Sequence, residues 1–410
     1  MRILVVSNLF PPVVRGGYEV ECSGVVERLR RRHDVTVLTS TLEDPGHQPG
    51  VKRELELLPN SWKGTARAPL ASLRAAKVTR RALDELRPDF VFVWNGSQIP
   101  QASLRIVADS GIPTAYRVCE HWFGRLFAND QYLRYLSPGH RGAERVWAAG
   151  SQALNRSPTL RLDPFRRFPI AVSWNSEAIR RLAGVPDVVD VRFESTIHST
   201  SINGPAFEAI TRAPSPDPTI LFLGRLWEGK GAWVVVRALG RLRALDGLTA
   251  RLTLAGPIEP AEREAIVREI EQAGVSDLVE ITGPLSPARV ADLLSTAHVL
   301  VVPSTWEEPF PLVCIEGALA RVPLVASDVG GIPEFLTDSE HALLFPPGDS
   351  DACAEALRKT LTDTAETERR TRRALEHAQG FGWEPYLDAS ERFVDDAFSA
   401  LTNAVPAVRS

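Results

Sequence analysis

Ten short apolar runs recur along the chain, most of them separated by segments of helix length. In the first half they are Ile3–Val6, Val35–Leu38, Phe90–Trp94, Thr114–Val118 and Ile170–Trp174. In the second they are Thr219–Leu223, Arg251–Ala255, Leu278–Thr282, Val299–Val302 and Pro323–Ala326. Runs that are apolar on both faces belong to strands covered on both sides, which are parallel strands joined by right-handed crossovers. The segments between them supply the helices. Tyr18, Cys22, Val25, Val26 and Leu29 fall on one helical stripe, and Ser286-Pro287 is an N-cap followed by proline at the first helical position. The expected class is α/β, with two Rossmann-like, doubly wound domains. The length of 410 residues agrees, since it exceeds one ordinary core and suits two of roughly 200 residues each.

Punctuation along the chain sets the expected boundaries. Arg212–Pro218 holds three prolines in seven residues, which permits neither a helix nor a central strand. It reads as a linker at 211–218, between a first domain at 1–210 and a second at 219–383. A last amphipathic helix at about 384–402, with Tyr386, Leu387, Phe393, Val394, Phe398 and Leu401, is expected to pack back on the first domain. The stretch Glu120–Pro169 lacks a strand period and carries Trp122, Phe123, Arg125, Tyr132, Arg134 and Tyr135. It reads as an elaboration on the first domain.

Composition excludes several classes. Apolar residues make up 44% and charged residues 24%, the balance of a folded globular chain. No apolar run approaches the ~20 residues that span a bilayer. Met1–Val6 runs into Ser7-Asn8 as a buried strand would, not as a signal peptide. A net charge of −4 gives no overall field toward nucleic acid. Cys22, Cys119, Cys314 and Cys353 are scattered, which excludes a disulfide framework and a zinc site of the usual spacing. A reducing, cytoplasmic setting fits. Arg28–His33 reads as a basic helix end favoured by the helix dipole. The Lys52–Arg87 stretch interleaves Arg67, Arg74, Lys77, Arg80 and Arg81 with Leu70, Leu73, Val78, Ala82 and Leu83. It is either a solvated helix flanking the sheet or a peripheral contact with anionic lipid at the inner membrane face.

Four motifs sit where strands end. Gly16-Gly17 follows the first strand and opens a helix, so backbone N–H groups there can approach an anion, or simply form a helix-entry turn. Gly224-Arg225-Leu226-Trp227-Glu228-Gly229-Lys230-Gly231 repeats that logic in the second half. Arg225 offers a planar fork and Lys230 a mobile point charge, a pairing suited to a diphosphate; the alternative is a solvated loop. Next comes Ser304-Thr305-Trp306-Glu307-Glu308-Pro309-Phe310-Pro311-Leu312, with Glu316 in the following helix. Glu308 could serve as a capping charge, but Glu316 lies among apolar neighbours and needs a partner. Two acceptors so spaced can hold hydroxyls at opposite ends of an elongated ligand. The fourth is Ser327-Asp328-Val329-Gly330-Gly331-Ile332-Pro333-Glu334, another glycine turn that offers N–H groups.

In this order the motifs resemble the retaining, nucleotide-sugar-dependent glycosyltransferases of family 4, which have the GT-B fold. The resemblance is strong over about Thr219–Gly348, moderate over Met1–Ser40 and faint from Lys52 to Ala213. It implies two Rossmann-like domains facing each other across a cleft, with a donor diphosphate held there by Arg225 and Lys230. It also implies Glu308 beside the transferred sugar, Glu316 on the ribose, and Gly16 and Gly17 near the distal phosphate or acceptor. Gly224, Leu285, Phe310, Leu312 and Val313 complete the donor set, and Glu120, His121 and Trp122 the acceptor side, with His121 also a candidate for touching the donor sugar. Pro311 stands where family members commonly have glycine and has no N–H to donate, so sugar contacts would fall to the N–H groups of Leu312 and Val313. Arg321 replaces another frequent glycine.

The chemistry implied is sugar transfer with retention from a nucleoside diphosphate sugar to an acceptor glycan, lipid-linked sugar or small metabolite. No cofactor and no metal is expected. The rivals are a sugar-nucleotide 2-epimerase on the same fold and a catalytically silent donor-binding subunit.

Overall fold

The computed structural model describes residues 1–42, 46–57, 62–120, 122–126, 135–136, 139–142, 144–156, 166–246 and 248–403. The chain divides into two units. One holds Met1–Asn175, Ile179–Ile197 and the chain from Leu387 onward; the other holds Ser176–Ala178 and His198–Tyr386.

The first unit is built on a seven-stranded parallel sheet. Its strands are β1 (Arg2–Ser7), β2 (Asp34–Ser40), β3 (Val51–Leu55), β4 (Phe90–Asn95), β5 (Thr114–Val118), β6 (Phe168–Trp174) and β7 (Val189–Thr196), in the order β3-β2-β1-β4-β5-β6-β7. Val5 stands opposite Val37 on one side and Phe92 on the other. Trp94 and Trp174 are the largest fully buried side chains, and each such burial contributes roughly 1.5–3 kcal/mol. The second unit has β8 (Thr219–Leu223), β9 (Arg251–Ala255), β10 (Val279–Gly283), β11 (Val299–Val302), β12 (Leu324–Ser327) and β13 (Leu343–Phe345), all parallel, in the order β10-β9-β8-β11-β12-β13.

All ten apolar runs mark strands, the runs from Leu278 and Pro323 beginning one residue before β10 and β12. The three strands that the apolar pattern does not announce, β3, β7 and β13, are sheet edges. Val189-Asp190-Val191-Arg192-Phe193-Glu194 shows why, because an edge strand half open to water alternates in character and never forms a continuous apolar run.

The basic helix end is explained within the first unit. Arg28 pairs with Asp388, and Arg32 pairs with Glu391 at 3.1 Å and with Asp395 at 3.2 Å, all on the helix Trp383–Asn403. Phe393 and Phe398 of that helix pack on Phe92 and Phe90, with ring centroids 6.0 and 6.2 Å apart. The Lys52–Arg87 stretch is the flank of a sheet. Ala71, Ala75, Ala76, Ala82 and Leu83 of the helix Trp62–Leu86 are buried, and three cations of the stretch meet carboxylates. Lys52 meets Glu85 at 2.6 Å, Arg74 meets Glu56 at 3.5 Å, and Arg81 pairs with Glu54. No described helix is long and apolar enough to cross a membrane. The proline-rich segment lies within the second unit, where Ala213 and Ser215 donate to the Ser295 and Thr296 carbonyls.

Candidate active site

In the second unit the strand order reverses between β8 and β11, and ligands of open α/β sheets bind at the carboxyl ends of strands at such a point. Two loops meet there. After β8 the Gly224 N–H donates to the Ala255 carbonyl at 3.0 Å and Leu226 N–H to Pro257 at 2.8 Å, which ties the loop down. Glu228–Lys230 then makes a single 3-10 turn, closed by Gly231 at φ +69°. A Cβ on Gly231 would lie 1.8 Å from the Pro303 carbonyl oxygen, so only glycine lets the loop after β11 pass this close. That second loop is hooked on through the N–H groups of Thr305 and Trp306, which both donate to the Gly229 carbonyl, at 2.8 and 3.2 Å.

These backbone contacts bring Lys230 and Glu308 together. Lys230 Nζ donates to Glu308 Oε1 at 2.6 Å, and the buried Ser304 hydroxyl donates to the same oxygen. The Glu308 side chain is 5% exposed and the Lys230 side chain 27% exposed, so the carboxylate is fixed while the ammonium keeps access to solvent. Lys230 Nζ also stands 5.6 Å from the centre of the Trp306 ring, against which Trp227 packs edge-on at 5.4 Å. Arg225 is exposed on the same loop and forms no ion pair among the described residues. An unpaired guanidinium and an ammonium with N–H donors to spare can receive a doubly charged phosphate ester.

The fourth motif backs this site. Gly330 sits at φ +60°, and a Cβ there would fall 2.4 Å from the Glu308 nitrogen. Gly331 N–H donates to the Glu308 carbonyl at 2.7 Å, so one of the donors this motif offers is already committed within the fold. Glu334 accepts from the N–H groups of Glu177 and Ala178 at 2.8 and 2.6 Å, with His198 Nε2 at 3.2 Å. His198 stacks on Phe310 at 4.7 Å. Phe310 is therefore buried in an aromatic cluster with Phe335 and Phe381.

The helix Leu312–Leu319 carries Glu316 half-buried. Ser201 Oγ donates to its carboxyl at 3.2 Å, while loss of water around it pushes that carboxyl up to about 7. Leu312 N–H is taken by the Phe310 carbonyl at 3.2 Å. Of the two donors expected to replace a glycine at Pro311, Val313 N–H alone has no backbone partner among the described residues. Leu285 is half-buried against the apolar cluster that contains Ile315 and Leu319.

The first unit places the glycine pair of the first motif at a helix start. Gly16 does open a helix, Gly17–Arg30, but the anion at its N-terminus is the chain's own Glu19. Glu19 Oε2 accepts from Gly16 N–H at 2.9 Å and from Arg15 N–H at 3.2 Å, a carboxylate reaching back to cap its own helix. Tyr18 points inward, its hydroxyl donating to the Trp94 carbonyl at 2.6 Å. Desolvation, then the Glu19 charge, holds the Glu120 carboxyl above its ordinary range. Trp122 packs on Phe123 and Tyr116, with ring centroids 5.8 and 6.3 Å away, and a Cβ on Gly96 would meet its ring at 2.6 Å. His121 lies outside the described residues.

The sequence reading missed Ser304, Trp306 and Ser201. Ser304 stands four residues before Glu308, a spacing that means contact in a helix but nothing in a loop. Ser201 lies 115 residues from Glu316, and no local signal joins them. Among the described residues no three His, Cys, Asp or Glu side chains gather as metal ligands would.

Comparison with known proteins bears on the family of the chain. Residues 205–377 match the family model described as glycosyl transferases group 1, and residues 16–169 match that of a glycosyl transferase 4-like domain. A D-inositol 3-phosphate glycosyltransferase of Thermobifida fusca is 30% identical over 239 residues, 56% of this chain and 55% of its own. Glycogen synthase of Mycobacterium tuberculosis is 31% identical over 199 residues, 48% of this chain and 47% of its own. The chain spans about half the length of the curated relatives it matches. Among solved structures, a sucrose-phosphate synthase from Thermosynechococcus elongatus superposes with a TM-score of 0.67 at 20% identity, over 97% of this chain and 99% of its own. HepE of Anabaena, solved in complex with UDP-glucose, superposes with a TM-score of 0.59 at 19% identity, over 98% and 100%. At these identities the structural likeness shows the fold, and the two family matches, which between them span most of the sequence, show the descent: the chain belongs to the group 1, or family 4, glycosyl transferases with the GT-B fold.

Proposed function

We propose that the chain is a retaining glycosyltransferase that moves a hexosyl group from a UDP- or GDP-linked sugar to an acceptor hydroxyl. The observation that carries this reading is the Lys230–Glu308 contact at 2.6 Å, with Arg225, which forms no ion pair among the described residues, on the loop that bears Lys230. The barrier in such a transfer lies in breaking the bond between the anomeric carbon and the diphosphate oxygen. Arg225 and Lys230 stabilise the charge that grows on that oxygen, an effect worth roughly 10²–10³ in rate per donor in comparable sites. The acceptor oxygen bonds to the anomeric carbon on the same face, and its proton passes to the departing diphosphate. In this reading no enzyme nucleophile is needed, and the cations of the chain do what a metal would otherwise do.

Glu308 accepts a hydroxyl of the donor sugar, and Glu316 accepts the ribose hydroxyls. Val313 N–H and Leu285 contribute from the same unit. Gly17 serves the distal phosphate or the acceptor, and Glu120, His121 and Trp122 serve the acceptor side, which takes a glycan, a lipid-linked sugar or a small metabolite. The relatives' names are those of sugar-transferring enzymes and HepE holds UDP-glucose, which supports a nucleotide-sugar donor. We place the reaction in the cytoplasm, because all four cysteines are buried thiols with no disulfide between them. Contact of the Lys52–Arg87 segment with lipid has little support, since three of its cations are ion-paired.

The test is a transfer assay on the purified chain with a panel of UDP- and GDP-sugars and an acceptor extract. A larger glycosylated product bears out the reading. An epimerised or free sugar without acceptor dependence would mean a 2-epimerase, and donor binding with no turnover a silent subunit. Loss of transfer in Lys230→Ala and Glu308→Gln, with folding intact, assigns the roles.

A further inference from the structure

A cavity of about 390 Å³ lies in the second unit between the helices Ala232–Asp246 and Pro260–Gln272, within the size range of small-molecule sites. None of Arg225, Lys230, Leu285, Glu308 or Glu316 lines it, so it is distinct from the proposed donor site. We propose that it binds a neutral hexopyranose ring, such as one residue of an oligosaccharide.

The lining argues for that chemistry. Two half-buried indoles, Trp227 and Trp233, supply apolar faces, while Glu228, Glu262, Arg268 and Gln272 supply acceptors and donors around them. Among the described residues Glu228, Glu262 and Arg268 make no ion pair, so their polar groups are open to a ligand. Trp233, by contrast, is held in place: Arg237 lies 4.7 Å from its ring centre and is clamped by Glu269 at 2.8 Å. A purely apolar ligand would leave these charged groups without partners, and an anion would face the carboxylates of Glu228 and Glu262. A sugar ring meets both demands, with C–H faces for indole and hydroxyls for carboxylate, amide and guanidinium.

The cavity also adjoins the turn that carries Lys230. A Cβ on Gly229 would strike the Trp227 ring at 2.2 Å, and Trp227 packs on Trp306, which faces Lys230. A ring bound against Trp227 therefore bears on the Lys230 loop.

The test is titration of the full chain with methyl α-D-glucopyranoside and with maltotriose, followed by tryptophan fluorescence and by saturation-transfer NMR. A saturable response to either sugar in the native chain, weakened at least tenfold in Trp233→Ala and in Glu262→Gln and unchanged in Arg225→Ala, is the expected result. The Glu262 variant keeps the packing and serves if Trp233→Ala fails to fold. No saturable binding to the native chain, or binding that both variants retain, would overturn the proposal. So would a response abolished by Arg225→Ala, which would place the sugar in the donor loop, or competition by inorganic phosphate. A failed donor assignment would leave this experiment untouched, because it reads glycoside binding without any nucleotide.

Discussion

Lys230 Nζ and the Ser304 hydroxyl converge on one oxygen of Glu308, Oε1, so the carboxylate is anchored through a single atom. The two partners differ in exposure, with the acid nearly sealed and the base reached by water. Their removal should therefore be unequal in cost.

Lys230→Ala leaves a buried carboxylate with only a serine, and breaking a buried pair in this way costs on the order of 3 kcal/mol. Glu308→Gln leaves an ammonium that water can solvate and should cost about 1 kcal/mol. The double variant should recover part of the Lys230→Ala loss. Urea unfolding of the three proteins checks the order, and equal losses would mean that the pair is not anchored as described. Both single variants should lose transfer by about 100-fold or more.

Gly330 carries a second prediction. Its φ of +60° and the 2.4 Å approach of its missing Cβ to the Glu308 nitrogen penalise any side chain twice. Gly330→Ala should cost about 2 kcal/mol or more and should weaken nucleotide-sugar affinity by displacing the Glu308 loop. Calorimetric titration with UDP-glucose beside a thermal melt distinguishes the two effects. A variant as stable as the native chain would mean that the close packing is absent.

Glu316 gives a pH dependence with a definite sign. Burial raises its carboxyl from an ordinary 4.5 to about 7, so the folded chain holds this proton more tightly than the unfolded chain does. The contribution is fully present below pH 4.5 and is lost as pH rises through 7. At roughly 1.4 kcal/mol per pH unit the loss is on the order of 3 kcal/mol. Glu316→Gln should remove that slope, so the variant should gain on the native protein between pH 5 and 8 in chemical denaturation. Parallel stability curves for the two proteins would refute the shift.

How far the sequence was legible follows from what each element must satisfy. Central strands such as Phe90–Asn95 are buried on both faces, and that demand is written into consecutive residues. Val51-Lys52-Arg53-Glu54-Leu55 pairs on one side only and meets solvent, so the same backbone carries a sequence with no strand signature. Lys230 and Glu308 could be picked out because strand ends of an α/β sheet face the ligand crevice whatever the details. Their supports could not. The Glu19 carboxylate that claims Gly16 and the Ser201 hydroxyl that serves Glu316 are choices of local geometry and of long-range packing. Neither is encoded by residue type alone, and only Glu19, three residues on from Gly16, left a capping-box trace that the glycine pair drew attention away from.

Arg321 shows how a departure from a glycine can be offset. It occupies φ +57°, a conformation that costs a side-chain-bearing residue about 1 kcal/mol relative to glycine. Its guanidinium donates to the carbonyls of Glu208 and Ile210, at the end of the helix Gly204–Glu208. Arg321→Ala keeps the strained backbone and loses both bonds, whereas Arg321→Gly loses the bonds but sheds the strain. The alanine variant should therefore be the less stable of the two by about 1 kcal/mol. The glycine variant should lie nearer the native protein, because bonds from a half-exposed guanidinium are worth only about 1–2 kcal/mol in net terms. Denaturation midpoints of the three proteins decide the matter. Equal midpoints for the alanine and glycine variants would show that the left-handed backbone relaxes once the arginine is gone, and that the guanidinium was holding the chain in that conformation.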